Sequence, residues 1–429
     1  MLEQTHIELL PENGGCEAQS IFEEQYEIDT VARKARRYIL RRNGRVATSE
    51  VPLATLEGQS SPGEIFDISW LRMKEPPRPV TGIETLRVAD LFSGCGGLSL
   101  GVQEAARALE IPIQFAFASD IYEPALEVYQ ANLHPEKISS APLETLINGK
   151  VSARRTNSEI ELMQQLGKID LLIAGPPCQG HSDLNNHTRR NDPKNQLVVR
   201  VARFVELFEP GLVIIENVQG IRHDKSDSLA EVRRLLDRKG YSISEAVLRA
   251  DYLGVAQGRR RFFLVAGRNG VQDLSSLAQA PSVDERSLGW AIGDLLDTRA
   301  HSVFDSSARH SAENQSRIEY LHAQNIHELP DRLRPPCHRD KPHSYTGVYG
   351  RMHWNRVAPT ITTGFGSTGQ GRFVHPLRAR TLTPHEAARV QFFPDFFNFG
   401  ERGRREYQKL IGNAVPSKLA YAVALHQLR

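Results

Sequence analysis

The sequence has 429 residues, of which 40% are hydrophobic and 24% charged, and its 53 Lys and Arg nearly balance its 51 Asp and Glu. These proportions exclude a mainly disordered or fibrous chain, and the length suggests two to three domains. The formal charge of +2 gives no global argument for nucleic-acid binding, so any such argument must be local.

Hydropathy and cysteine usage indicate the compartment. No apolar run approaches the ~18 residues of a membrane span, and the N-terminus shows no secretory signal pattern. The four cysteines, Cys16, Cys95, Cys178 and Cys337, are far apart and form no CxxC pair, which indicates neither a disulfide framework nor a metal site. We therefore expect a soluble protein that works in the cytoplasm.

The first predicted unit, residues 1–82, is polar and ends in a proline-rich stretch, EPPRPVTG. Within it, residues 31–45 include seven basic residues and no acid. Four apolar positions of this run can share one helical face: Val31, Ala35, Tyr38 and Ile39. This spacing predicts a basic amphipathic helix, which is either a solvated face of an accessory domain or a helix that contacts phosphates.

Residues 83–268 alternate short apolar runs with longer helical stretches. The predicted strands lie in the runs LRVADLFSG, IQFAFASD, IDLLIAG, LVIIENV and RRFFLVAG, and helical spacing covers 98–109 and 197–208. Runs that are apolar on both faces are typical of a parallel sheet covered by helices. We predict an α/β, doubly wound, Rossmann-like domain.

For the rest of the chain we predict a smaller, loop-rich domain over 269–400. Residues 401–429 then return to the 83–268 domain as a helix around GNAVPSK. The stretch TPHEAARV, from position 383, begins with a helix-start signature. Residues 331–380 contain nine Lys and Arg against two Asp and Glu, with aromatic residues interleaved. Such a stretch favours contact with a nucleic-acid groove and its phosphates.

Ligands of open α/β sheets bind beyond the carboxyl ends of the strands. The first run leads into the turn SGCGG at 93–97, which either lets a ligand approach backbone amides or simply connects strand to helix. The second run ends in Asp120, which either contacts a cofactor ribose or caps the next helix. Because the glycines do not match GxGxxG, a mononucleoside such as S-adenosylmethionine fits better than a dinucleotide.

Candidate catalytic residues lie at the ends of the next three predicted strands. PPCQGHS at 176–182 places Cys178 after two prolines that fix the backbone. An isolated cysteine is usually buried and inert, but this polar loop favours a nucleophile. Glu216 ends the fourth run, where burial would raise its pKa toward that of a general acid. Arg259 and Arg261 enter the fifth run and either hold a carboxylate, ring oxygen or phosphate, or lie on a solvated strand.

Six motifs in chain order resemble those of the DNA cytosine-5 methyltransferases: DLFSGCGGLSLG, GPPCQGHS, ENV, QGRRR, TPHEAARVQFFPD and GNAVPS. The resemblance covers residues 86–429. It implies S-adenosylmethionine as cofactor and double-stranded DNA as partner, with the target cytosine flipped out of the duplex. It further implies that Cys178 attacks C6, that Glu216 holds and protonates N3, and that Arg261 with Arg259 supports the base oxygen and the acid.

The resemblance also implies binding residues. Those for the cofactor are Phe92, Gly94, Cys95, Gly96, Gly97, Asp120, Ile121, Pro177, Leu197, Asn413 and Ala414. Cys95 is then a neighbour of the cofactor rather than a second nucleophile. The loop 179–196 would close over the flipped base. Its DNA-binding residues would be Gln179, Ser182, Arg189, Arg190 and Lys194, and the last four are suited to contact with phosphates. The sequence departs from the family at Ile121, where tryptophan is frequent, and ISSAPLETL lacks the usual aspartate for the adenine.

We expect a monomer that marks DNA in a bacterial restriction-modification or phage-defence system, with a nuclease or defence partner that docks through residues 1–82. Two alternatives stay open, a tRNA cytosine-5 methyltransferase and a non-catalytic DNA-binding regulator. The basic 331–380 stretch argues against the first. The intact set of Cys178, Glu216 and Arg261 argues against the second, because a purely binding role needs no thiol.

Overall fold

A three-stranded antiparallel sheet and one helix form the N-terminal part of the protein. The computed structural model describes residues 24–54, 60–177, 197–223, 228–279, 281, 283–339 and 347–429. The first elements are β1 (Glu24–Asp29), β2 (Lys34–Leu40), β3 (Val46–Pro52) and α1 (Pro62–Leu71). Ser61 begins α1 with a capping box, in which its side chain accepts from the amide of Glu64.

A seven-stranded sheet forms the centre. Its strands are β4 (Leu86–Leu91), β5 (Ile113–Ser119), β6 (Ile138–Ser139), β7 (Leu171–Ala174), β8 (Leu212–Asn217), β9 (Ser242–Arg249) and β10 (Arg260–Gly267). They lie in the order β6-β5-β4-β7-β8-β10-β9. All five predicted runs are strands, and the α/β fold is confirmed. The run RRFFLVAG differs in direction, because β10 is antiparallel to both β8 and β9.

Helices cover both faces of this sheet. The helices after α1 are, in chain order, α2 (Gly97–Ala108), α3 (Glu123–Leu133), α4 (Leu143–Leu146), α5 (Asn157–Leu166), α6 (Leu197–Phe208), α7 (Ser228–Arg238), α8 (Ser275–Gln279), α9 (Leu288–Ile292), α10 (Ala312–Ala323), α11 (Pro384–Val390), α12 (Arg404–Asn413) and α13 (Ser417–Leu428). One buried core lies between the sheet and α2, α3 and α13, and a second lies between the sheet and α4 to α7. Neighbouring residues Val88 and Ala89 of β4 belong to different cores, as expected for strands buried on both faces.

The helices predicted over 98–109 and 197–208 are α2 and α6, and TPHEAARV is α11, where Thr383 and Glu386 form a capping box. The 269–400 segment is rich in loops, but it also contains α10, which the sequence did not predict. This helix buries only Ile318 and Leu321. Among the described residues, no helix combines the length and the apolarity needed to cross a bilayer.

The predicted basic helix at 31–45 is wrong. These residues form β2 and the turns on either side of it, and burial alternates along the strand, with Ala35, Arg37 and Ile39 facing inward. The two-residue period is not visible in the sequence, because a buried arginine, Arg37, occupies one of the inward-facing positions. It is 1% exposed, and its Nη2 atom lies 2.7 Å from Oε1 of Glu104 on α2.

Candidate active site

Three parallel strands end side by side at one edge of the central sheet. Ala174 of β7 pairs with Leu91 of β4 and with Ile215 of β8. The residues one position further, Gly175 and Glu216, are therefore neighbours at the edge. A side-chain carbon built on Gly175 would lie 3.7 Å from Oε2 of Glu216. The missing side chain at this glycine leaves space in front of the carboxyl group.

The segment that leads to the predicted nucleophile is anchored beside Glu216. Asn217, the next residue on β8, is buried, and its Nδ2 atom donates a hydrogen bond of 3.2 Å to the carbonyl oxygen of Pro176. Cys178 itself lies outside the described residues. The predicted DNA-contact residues lie outside them too: Gln179, Ser182, Arg189, Arg190 and Lys194.

Glu216 is buried against one of the predicted arginines. Nε of Arg261 lies 2.8 Å from Oε1 of Glu216. Burial raises the pKa of the Glu216 carboxyl, and the charges of Arg261 and then Arg259 oppose that rise. The pair forms because β10 is antiparallel to β8, so the first residues of β10 lie beside the last residues of β8. The result is a buried carboxyl group that can keep its proton at a higher pH than an exposed glutamate.

The entry to β10 is also fixed to the 269–400 segment. Arg259 is buried, and its Nη1 atom donates to the carbonyl oxygen of Ile361 at 2.8 Å. The fully buried Gln257 accepts from the amide of Ile361 at 2.9 Å and donates to Oε1 of Gln391 at 2.9 Å. These bonds set the position of the arginines relative to Glu216, and they give Gln257 a role in packing.

The glycines of the first turn serve different purposes. A side-chain carbon on Gly96 would lie 2.5 Å from Cδ1 of Leu133, and one on Gly97 would lie 2.5 Å from the carbonyl oxygen of Val415. Both positions therefore exclude a larger residue for packing reasons. Gly94 has φ +53° and faces open space, with no atom within 4 Å of a built side-chain carbon. Within this turn, Gly94 is the position that leaves room for a ligand.

Asp120 holds this turn from the end of β5. Its Oδ2 atom accepts from the amide of Gly94 at 2.9 Å, and Oδ1 accepts from the amide of Tyr122 at 2.8 Å. Burial raises the pKa of Asp120, while the two amides and the charge of Lys409 oppose the rise. The carboxylate thus orders the start of α3 and keeps lone pairs for ligand hydroxyls. The next side chain, Ile121, is 73% exposed and leaves an apolar surface beside the acid.

Cys95 points away from the open side of the turn. Its Sγ atom lies 3.6 Å from the carbonyl oxygen of Leu410 on α12. Burial raises the pKa of the thiol to about 12. The thiol is therefore protonated at neutral pH. Because only the thiolate form of cysteine is a good nucleophile, Cys95 is not suited to nucleophilic attack.

The turn between α12 and α13 adjoins the glycine turn through the contact of Val415 with Gly97. In this second turn Asn413 is exposed, and the carbonyl oxygen of Ala414 accepts from Nε2 of Gln391 at 3.1 Å. The other two predicted cofactor residues, Pro177 and Leu197, are partly buried and border the segment that contains Cys178.

No pattern in the sequence indicates Lys409. Its Nζ atom lies 3.4 Å from the ring centroid of Tyr122, and its charge opposes the rise that burial causes in the pKa of Asp120. Lys409 and Asn413 are four residues apart on α12 and so share one face of that helix. A lysine on an amphipathic helix is usually solvated, so only the fold brings this one to the edge of the candidate cofactor site.

Comparison with known proteins agrees with this geometry. A family model described as C-5 cytosine-specific DNA methylase matches residues 86–428. The type II methyltransferase M1.BsuMI of Bacillus subtilis (strain 168) is 54% identical over 395 residues, which cover 92% of this chain and 92% of that protein. The type II methylase M.HgiDII of Herpetosiphon aurantiacus is 29% identical and covers 79% of this chain and 93% of its own length.

Solved structures show the same fold. The methyltransferase Dnmt2 of S. pombe aligns with a TM-score of 0.53 and 20% identity, over 79% of this chain and 98% of that chain. A prophage-encoded DNA modification methyltransferase of E. coli aligns with a TM-score of 0.55 and 22% identity, over 80% and 98%. At these identities the likeness concerns the fold alone. The family match and the relative from B. subtilis carry the conclusion that the chain belongs to the C-5 cytosine-specific DNA methylases and is a DNA cytosine-5 methyltransferase.

Proposed function

We propose that this enzyme methylates C5 of a cytosine flipped out of duplex DNA, with S-adenosylmethionine as methyl donor and a covalent bond between Cys178 and the base as intermediate. One observation carries the proposal. The buried pair of Glu216 and Arg261 lies beside the anchored backbone that leads into Cys178. Nucleophilic attack on the cytosine ring requires an acid close to the nucleophile, because the negative charge that the attack places on the ring must be neutralised as it forms.

The proton and electron balance assigns each group a task. The Cys178 thiolate adds to C6, the electrons of the C5–C6 double bond move toward N3, and the Glu216 carboxyl gives its proton to N3. C5 is then nucleophilic toward the methyl group that S-adenosylmethionine would supply, and the sulfonium would leave as the neutral thioether S-adenosylhomocysteine. A base removes the proton from C5, the C6–S bond breaks to release the thiolate, and N3 returns its proton to Glu216. Arg261 and Arg259 hold the carboxylate between these proton transfers.

The residues at the glycine turn fit S-adenosylmethionine. Gly94 leaves open space beside the backbone, and Oγ of Ser93 is buried with no hydrogen-bond partner among the described residues. We propose that Phe92, Gly94 and Ser93 hold the methionine part, that Asp120 accepts from the ribose hydroxyls, and that Ile121 covers the adenine. The neighbouring turn contributes Asn413 and Ala414. When bound, this molecule supplies the methyl group.

Replacing the two central groups tests the mechanism. Cys178→Ser should abolish transfer of labelled methyl to DNA, and Glu216→Gln should lower kcat by about 10²-fold or more while DNA binding persists. A duplex with 5-fluorocytosine should trap wild-type protein in a covalent complex. Release of Cys178 requires a base to remove the hydrogen from C5, and the fluorine that replaces this hydrogen cannot be removed in that way. Methyl transfer by Cys178→Ser, or trapping of that variant, would refute the covalent mechanism.

The substrate alternatives are separated by a direct comparison. We expect methyl transfer to unmethylated duplex DNA and none to tRNA. Transfer to tRNA alone would establish the RNA alternative, and binding to DNA without transfer to either would establish the regulator. The family match favours DNA.

We further propose that the protein acts as a monomer in the bacterial cytoplasm and protects DNA against a cognate nuclease of a restriction-modification system. The similarity to two type II enzymes supports this role. The outward face of the β1–β2–β3 sheet is the proposed docking surface for the partner. Light scattering should give the mass of one chain, and DNA from expressing cells should resist one restriction specificity; a dimer mass or unprotected DNA would contradict the respective part.

A further inference from the structure

We propose that the loop over residues 150–155, which we call the cationic loop, is a second contact site for the DNA backbone, on the helical layer next to the catalytic segment. The loop presents three exposed cations, Lys150, Arg154 and Arg155. None of the three forms an ion pair with another residue in the described ranges. This inference rests on the DNA substrate and adds a site that the family motifs do not include.

Hydrogen bonds from a buried arginine hold the backbone of the cationic loop in place. The buried guanidinium of Arg203 on α6 donates to the carbonyl oxygens of Ala153 at 3.0 Å and Arg154 at 3.3 Å. The same guanidinium is held by two carboxylates, with Nη2 at 2.7 Å from Glu159 and Nη1 at 2.6 Å from Glu206. Both acids thus pair with Arg203 on the inner side of the loop, and the exposed cations keep their charge for an external anion.

Further contacts fix the start of the loop. Arg200, in the first turn of α6, donates to the carbonyl oxygens of Ile147 at 3.2 Å and Gly149 at 2.8 Å. Ser152 adopts φ +63°, a conformation that costs energy for a residue with a side chain, and its amide donates to both oxygens of Glu206. Holding six loop residues this way lowers the entropy lost when the cations meet phosphates.

The fold places the cationic loop toward the catalytic edge. Arg87 at the start of β4 donates to the carbonyl oxygen of Leu166, so the C-terminal end of α5 lies at the opposite edge of the sheet. The N-terminal end of α5, which directly follows Arg155, therefore points toward the edge where Glu216 lies. α6 begins at Leu197, immediately after the segment that contains Cys178, and carries the arginines that hold the loop. We therefore expect the phosphates that flank a base inserted at Glu216 to meet this surface.

Two matched pairs of substitutions test the site. Arg154→Ala with Arg155→Ala removes two exposed cations of the cationic loop, and Arg234→Ala with Arg238→Ala removes two from α7, whose last residues lie at the opposite edge of the sheet. The Kd for a fluorescein-labelled duplex is measured across a salt series, and labelled methyl transfer to unmethylated plasmid DNA gives kcat and KM. Thermal unfolding checks that each variant folds.

The loop variant should bind the duplex more weakly, with a salt slope lower by about two, since each lost phosphate contact removes about 0.9 from the slope. Its KM for DNA should rise several-fold with kcat unchanged, and the α7 variant should match wild type in both. Arg154→Lys with Arg155→Lys should restore the slope. A slope and KM equal to those of the α7 variant would overturn the site, whereas a wild-type protein that methylates no DNA would overturn the proposed function instead.

Discussion

Two opposing effects act on the proton of Glu216, and both can be measured. Burial raises the pKa of its carboxyl, while Arg261 and Arg259 lower it. If the carboxyl must be protonated to act on N3, the rate of methyl transfer falls as pH rises through this pKa. Arg261→Gln removes the larger opposing charge, so the pKa of Glu216 should rise further and the alkaline decline should move to higher pH, at a lower maximum rate.

Single-turnover rates across pH check this. Arg260→Gln is the control, because Arg260 is the exposed neighbour on the same strand, and its profile should coincide with that of the wild type. An alkaline decline that stays in place or moves to lower pH in Arg261→Gln would mean that the decline does not report Glu216.

Asp90 makes a second prediction at this scale. It is fully buried below the glycine turn, accepts from Oγ of Ser99 at 2.7 Å, and burial raises the pKa of its carboxyl to about 8. The folded protein therefore binds a proton here that the unfolded chain releases near pH 4. Between those values the group lowers stability as pH rises. Asp90→Asn should reduce the loss in unfolding free energy between pH 5 and pH 9 by at least the ~1.4 kcal/mol that one pKa unit represents.

Urea unfolding at the two pH values measures the difference. Asp237→Asn on α7 changes an exposed aspartate in the same way and should leave the pH dependence as in the wild type. An equal pH dependence in Asp90→Asn and in the wild type would show that Asp90 is ionised in the folded protein.

At the scale of elements, substitutions in β2 distinguish a strand with alternating burial from a basic helix. Arg37 points inward to Glu104, while Arg36 points outward and lies 3.5 Å from Asp29 and 3.7 Å from Glu50. Arg37→Ala should lower the unfolding free energy by about 3 kcal/mol, because it leaves a buried carboxylate with one partner fewer. Arg36→Ala should remain close to wild type in denaturant unfolding. Similar losses for both would contradict the alternation.

The elements also show what the sequence could predict. Long apolar runs identified the five strands, because burial on both faces leaves a continuous signal. The same reasoning failed at β2, where a buried arginine interrupts the apolar alternation, and at α10, which buries only Ile318 and Leu321. The motif residues Glu216 and Arg261 could be predicted, but their 2.8 Å pairing depends on the reversed direction of β10. Lys409 and the cationic loop depend on tertiary contacts and leave no pattern.

At the scale of the whole molecule, the N-terminal part shares its core with the rest. Residues of β2, β3 and α1 belong to the same buried cluster as α2 and α13. Asp67 of α1 lies 2.5 Å from Arg286, which precedes α9, and 2.9 Å from Lys418 of α13. One carboxylate thus joins three regions of the chain that are far apart in sequence.

We therefore expect the protein to unfold in one calorimetric transition. Asp67→Ala leaves two buried cations without their shared carboxylate and should shift that whole transition down, with a loss of about 3 kcal/mol. Glu75→Gln, an exposed change in the following segment, should leave it in place. A separate early transition that alone responds to Asp67→Ala would show that residues 24–80 are an independent domain.

The reversal of β10 determines where this protein can tolerate inserted residues. At β4, β5 and β7 the functional groups follow the strand, and at β8 Glu216 is the last residue but one, so additional residues beyond them lengthen a loop. At β10 they lie around its first residues, between Gln257 and Arg261, and are held by the ladder to β8 on one side and by the bonds to Ile361 on the other. An insertion there would separate the acid from its arginines, while one after Gly267, at the far edge, would leave them together. Length variation among relatives should therefore avoid the first boundary of this strand and accumulate after the second.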